Sequence, residues 1–87
     1  MKPVRFTSHA EEKFGILAAH GCMVTKAQVL ETVKHPHTIG AGYRGRKIAR
    51  GPLTQDHLLN VVFAETEAEI IVVTFYPGRR TRYESTI

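Results

Sequence analysis

Two apolar runs, Leu58 to Ala64 and Ile70 to Tyr76, separated only by Glu65-Thr66-Glu67-Ala68-Glu69, constrain this 87-residue chain more than any other feature. Each is of strand length and far short of the roughly 20 residues that cross a bilayer. The short polar segment between them predicts an antiparallel hairpin. At once after the second run come Pro77-Gly78-Arg79-Arg80-Thr81-Arg82-Tyr83. Planar arginine forks match phosphate oxygens and tyrosine faces stack on bases, so nucleic acid is the first class of partner to test.

Upstream the pattern changes. Val4-Arg5-Phe6 alternates, as a short edge strand does. Ser8 stands three residues before Glu11, the spacing of a capping box, which predicts a helix from His9. Ala10, Phe14, Leu17 and Ala18 then share one face, and Gly21 is placed to end it. Thr25 and Gln28 repeat the box, with Val24 and Val29 as a hydrophobic staple, so a second helix starts at Lys26. Val29, Leu30 and Val33 form its buried stripe, and Pro36 stops it by His35. The short connection from Gly21 to Thr25 predicts a helical hairpin.

From His37 the period becomes extended. Thr38 to Ala41, Arg46 to Gly51, His57 to Ala64 and Glu69 to Tyr76 read as strands joined by short turns, as in an antiparallel meander. The expected fold class is therefore α+β, in the order β-α-α-β-β-β-β, with a helical hairpin on one face of an antiparallel four- to five-stranded sheet. Residues 1–87 suffice for one domain.

With 43% hydrophobic and 23% charged residues, the composition is that of a folded globule rather than a disordered chain. No segment is long enough for a membrane span, and Met1 to Phe6 lacks the apolar stretch of a signal peptide. The single cysteine, Cys22, fits a reducing cytoplasm, which is the expected location. Net charge is +4, and beyond Pro36 seven basic residues fall in two groups: Arg44, Arg46, Lys47, Arg50 and Arg79, Arg80, Arg82. In the expected meander Arg50, His57, Tyr76, Arg79 and Arg80 gather at one edge of the sheet. Arg44, Arg46 and Lys47 gather at the other beside Glu65, Glu67 and Glu69, as surface ion pairs worth about 0–1 kcal/mol each. Only the first edge is then expected to keep an uncompensated positive field.

That edge holds the ingredients of metal-independent RNA cleavage. His57 is the candidate proton carrier, Arg50, Arg79 and Arg80 the candidate phosphate stabilisers, and Tyr76 and Tyr83 stackers or proton donors. His9, in the first turn of a helix, is a second candidate proton acceptor near the positive end of the macrodipole. The plain alternative is a strand-start histidine in water and arginines solvating a hairpin end. No cofactor or metal is expected: His20-Gly21-Cys22 and His35-Pro36-His37 lack the usual zinc spacings, and a cation near a helix C-terminus accounts for His20 and His35. Cys22 reads as a small buried hydrophobe. Gly40-x-Gly42-x-x-Gly45 has the letters of a dinucleotide fingerprint without the helix its mechanism needs, and reads as a hairpin turn.

Phe6-Thr7-x-His9-Ala10 at the first helix, the second helix ending before Pro36, and Val72-Val73-Thr74-Phe75-Tyr76 followed by Arg82-Tyr83 resemble a small bacterial domain family grouped with the RelE/ParE toxin superfamily. The resemblance covers nearly the whole chain, with short motifs. It implies the RelE-like fold, and a function acting on messenger RNA in the ribosome through basic residues of the sheet and a C-terminal tyrosine. By position those roles fall on Arg50, Arg79 or Arg80, and Tyr83, with Tyr76 and Arg82 beside them. It also implies an antitoxin protein as partner. ParE-like relatives bind a topoisomerase instead, so the same fold equally implies a non-catalytic protein-binding or inhibitor module. The dense lysines of ribosome-dependent members are missing here, and the opening with His9 is not theirs.

Overall fold

The computed structural model describes residues 2–79. Five strands, β1 (Val4–Phe6), β2 (Thr38–Ala41), β3 (Lys47–Pro52), β4 (His57–Glu65) and β5 (Ile70–Arg79), form one sheet in the order β1-β5-β4-β3-β2. From β2 to β5 each strand pairs antiparallel with the next, as short connections require. β1 differs from the expected all-antiparallel sheet by pairing parallel with β5, Phe6 opposite Val72, which makes the sheet mixed. No tight turn joins these two strands, so turn geometry does not set their direction. In the parallel orientation Thr7, just past β1, donates its amide to the Val72 carbonyl and its hydroxyl to the Val73 carbonyl, both at 3.0 Å.

β5 contains a bulge. Val62 faces Thr74 but Phe63 faces Val72, so Val73 is an extra residue without a partner on β4. A regular strand would send Ile70, Val72, Thr74 and Tyr76 to one face. The extra residue reverses the alternation, so Ile70, Val72 and Phe75 all enter the core, while Thr74 and Tyr76 face the other way. β5 also runs three residues past the expected end at Tyr76, through Pro77 and Gly78 to Arg79 opposite His57. Beyond its short pairing with β1, β5 is an edge strand, the setting in which proline is tolerated.

Two helices, α1 (Ser8–Ala19) and α2 (Lys26–Lys34), cover one face of the sheet. α1 begins one residue earlier than the Ser8 box implied, because the cap is Thr7, whose hydroxyl oxygen accepts from the Ala10 amide at 3.1 Å. The residue already anchored to β5 is the one positioned to cap. At the other end Gly21 takes φ 80°, its amide bonds to the Ala18 carbonyl and that of Cys22 to the Leu17 carbonyl, a Schellman closure. α2 starts with the expected box: Gln28 gives its amide to the Thr25 hydroxyl and its side chain accepts from the Thr25 amide. Between the helices Val24 is buried, and Lys26 returns to Glu11 of α1 at 2.8 Å. Each helix is held chiefly by the sheet, α1 over β5 and β1, α2 over β3 and β4.

The core beneath them comprises Ala10, Val24, Val29, Val33, Ala49, Leu59, Val61, Phe63, Ile70, Val72 and Phe75. Phe75 is fully buried and stacks at 4.5 Å on Phe14, which in turn meets Phe6 at 5.9 Å, so one aromatic chain ties β5 to α1 and β1. Gly51 lets α2 approach β3: a Cβ there would lie 3.3 Å from the Thr32 hydroxyl. No helix among the described residues is long and apolar enough to cross a membrane.

Thr7 joins three elements through one side chain. Thr7→Ala is expected to cost about 1–2 kcal/mol in urea unfolding, through the lost cap and the orphaned Val73 carbonyl. Thr7→Ser keeps the oxygen and should recover most of that loss. Equal losses in the two variants would place the effect in the methyl group instead.

Candidate nucleic-acid interface

The face of the sheet turned away from the helices carries a polar row. Thr38, Arg50, Asn60 and Tyr76 stand opposite one another across β2, β3, β4 and β5. Cross-strand partners share a face, so these side chains lie side by side. Arg50 donates through Nε to Asn60 Oδ1 at 2.8 Å, and Asn60 donates through Nδ2 to the Tyr76 carbonyl at 3.4 Å. The far end of the guanidinium passes over Gly40, where Nη1 sits 3.5 Å from the position a Cβ would occupy. Asn60 is fully buried with its amide satisfied at both ends. It therefore works as a fixed bracket that sets the plane of the Arg50 fork beside the Tyr76 ring.

Asn60 was not among the candidates read from the sequence. The signal was present, since it is the one strongly polar residue inside Leu58-Leu59-Asn60-Val61-Val62. A buried amide needs partners, and those become visible only when Arg50 and Tyr76 are seen opposite it.

His57 and Arg79 are a cross-strand pair on the opposite, helix-bearing face, which Leu59, Pro77 and Phe75 share. The candidates expected at one edge thus reach one end of the sheet but divide between its two faces: Arg50 and Tyr76 on the face away from the helices, His57 and Arg79 on the helix-bearing one. Alternation divides them, since His57 stands three residues from Asn60 and Arg79 three from Tyr76, and the bulge at Val73 decides only which face Tyr76 and Arg79 take. The His57 ring is positioned by Thr54, with Oγ1 and Nδ1 3.3 Å apart. His9 does not join it. The C-terminal end of α1 lies beside His57, whereas His9 is exposed in the first turn, roughly 16 Å of helix away. Arg80, Arg82 and Tyr83 lie outside the described residues.

At the opposite end of the sheet the ion pairs differ from those expected. Lys47 reaches Glu65 at 3.3 Å, but Lys2 takes the same carboxylate at 2.9 Å and Arg5 takes Glu69 at 3.2 Å. β1, placed next to β5, delivers Lys2 and Arg5 to these acids. Arg44 and Arg46 have no carboxylate within ion-pair distance among the described residues, and neither does Arg79. Arg44 adopts φ 57° in the 3₁₀ turn Tyr43–Gly45, beside a Tyr43 that is 89% exposed. Positive charge next to an aromatic ring is therefore not confined to the Arg50 end.

Compared with family models, with curated proteins and with solved structures, this chain finds no match.

Glu65 is the group whose titration the fold visibly alters. Hydrogen bonds from Lys2 first and Lys47 second hold its carboxyl below the usual carboxylate range. A folded-state pKa below the unfolded one gives stability that is present above the unfolded value and fades as pH falls through the folded value. The melting temperature of wild type should exceed that of Glu65→Gln at about pH 7, and the gap should close as pH falls below the usual carboxylate range and through the lowered folded value. A gap that persists in acid would show that the carboxylate charge is not its source.

Proposed function

We propose that this protein is a RelE/ParE-like toxin-type protein that binds single-stranded RNA, messenger RNA on the ribosome being the natural setting, through the end of the sheet formed by β3, β4 and β5. The observation that carries this reading is the Arg50–Asn60–Tyr76 row: a guanidinium oriented by a buried amide beside a half-buried tyrosine. An oriented fork binds phosphate with little further loss of freedom, and a neighbouring ring offers a stacking surface to any base. Arg79, at the same end and without an ion pair among the described residues, adds charge along the path of the strand. The lone Cys22 and an RNA partner agree with action in the cytoplasm.

Cleavage, if it accompanies binding, belongs to His57 with Arg79 on the covered face. In the tautomer that donates Nδ1–H to Thr54 Oγ1, the Nε2 lone pair of His57 takes the proton of a ribose 2′-hydroxyl, whose oxygen bonds to the adjacent phosphorus as the bond to the 5′-oxygen breaks and water protonates that leaving oxygen. Arg79 then stabilises the charge growing on phosphate. A second reading, a ParE-type module that binds a protein partner, is favoured by the exposure of Ile39 on edge strand β2 and of Tyr43 just beyond it. An antitoxin covering the basic surface suits either reading.

Anisotropy titrations with a labelled single-stranded RNA test the proposal. Affinity should fall steeply with salt, and replacing Arg50 and Arg79 together by Ala should weaken binding roughly tenfold or more and flatten the salt slope by about two phosphate contacts. Replacing Arg44 and Arg46 by Ala should do much less. Equal losses would move the interface to the Tyr43 turn, and no RNA binding by wild type would leave the protein-binding reading.

Assays on RNA with and without ribosomes, in the presence of chelator, address cleavage. Activity with 2′,3′-cyclic phosphate ends should be lost in His57→Ala and kept in His9→Ala. Intact RNA in every arm would make the protein a binder only.

A further inference from the structure

A cavity of about 360 Å³ opens where the end of α1 meets the start of β4, on the helix-bearing side of the sheet. Its walls include Cys22, Met23, Leu53, Thr54, His57 and Pro77. Three local closures hold them in place. The Schellman bonds from Gly21 and Cys22 fix the end of α1. In the β3–β4 connection the amides of Leu53 and Thr54 both donate to the His57 carbonyl, at 3.2 and 3.1 Å. Pro77 is held in β5 opposite Leu59. The walls are therefore set by backbone geometry rather than by side chains that must first find their places.

The lining has an order to it. Cys22, Met23, Leu53 and Pro77 give apolar, partly sulfur-bearing walls, Thr54 and the His57 ring give a polar edge, and Arg79, opposite His57 on the same face, gives a cation beside it. Met23 is 71% exposed, an apolar side chain left at the rim in water. A nucleotide offers a flat aromatic base, ribose hydroxyls and a phosphate in that order, matching the apolar walls, the polar edge and the cation. Methionine sulfur makes favourable contacts with aromatic rings, and a volume near the low end of the range for small-ligand sites suits one base and excludes a duplex. A purely aliphatic ligand would leave Arg79, Thr54 and His57 without use.

We propose that this cavity takes one unstacked base of the bound RNA strand, with the adjoining phosphate at Arg79. The proposal rests on the RNA-binding reading above and adds a base-holding site on the other face of the same sheet end. A strand that rounds this end could contact Arg50 and Tyr76 on one side and insert a base on the other.

Cys22 is the only cysteine of the chain and lines the cavity, so its alkylation reports occupancy directly. The full chain is treated with N-ethylmaleimide and followed by intact mass, alone and with millimolar AMP, UMP or ribose 5-phosphate. AMP or UMP should slow alkylation several-fold and ribose 5-phosphate should not. Met23→Gln, a neutral change at an exposed position, read against its own nucleotide-free alkylation rate, should lose the protection and weaken single-stranded RNA binding by roughly tenfold, the scale of one base contact. Absence of protection by either nucleotide overturns the base site, whatever the RNA titration shows, and so does equal protection by ribose 5-phosphate. Absence of RNA binding by wild type overturns the underlying RNA reading, whatever the thiol shows, so the two failures are distinguishable.

Discussion

The contact on which the rest of this structure turns is the one between Thr7 and the bulge in β5. The Thr7 hydroxyl satisfies the carbonyl of Val73, the extra residue, and the same oxygen caps α1 by accepting from Ala10. A bulge leaves ladder groups without partners, and such groups are costly once buried. Here the end of a neighbouring strand supplies what the ladder lacks, and in doing so sets the direction of β1 and the start of α1 together. Three features that look separate along the chain thus share one cause.

What the bulge does for the core can be read from Phe75. Without the extra residue this ring would sit on the face away from the helices and Thr74 on the helix-bearing one. With it, Phe75 is fully buried against Phe14, completing the aromatic chain from β5 to β1. Removing a buried phenylalanine costs about 3–5 kcal/mol, a large part of the stability open to a domain of this size. The gain from burying Phe75 and its neighbours is large enough to hold an irregular strand in place.

The chemistry is sorted by the same shift. Tyr76 is turned to the face away from the helices beside Arg50, and Arg79 to the helix-bearing face beside His57. One sheet end therefore presents two unlike surfaces, an oriented guanidinium with a phenol on one side and an imidazole with a guanidinium above a small cavity on the other. The far end is different in kind, because Lys2, Lys47 and Arg5 neutralise Glu65 and Glu69 in exposed pairs that contribute little to stability.

Much of the architecture is legible in the order of residues, because it is local. The Thr25–Gln28 box, Gly21 at the end of α1, Pro36 after α2 and the polar turn between the two apolar runs each act through neighbours in the chain, and the elements appear where they point. The gathering of Arg50, Tyr76, His57 and Arg79 at one end of the sheet follows from the meander in the same way. Which face Tyr76 and Arg79 take does not, since it depends on one unpaired residue whose partner, Thr7, is distant in sequence. The Asn60 bracket, the parallel set of β1 and the assignment of Lys2 and Arg5 to Glu65 and Glu69 are of the same type. The sequence by itself determined the elements and their order, through short-range hydrogen bonds and alternation. Only the tertiary structure decided the faces and the charge partners, because those depend on contacts between residues far apart in the chain that no local pattern encodes.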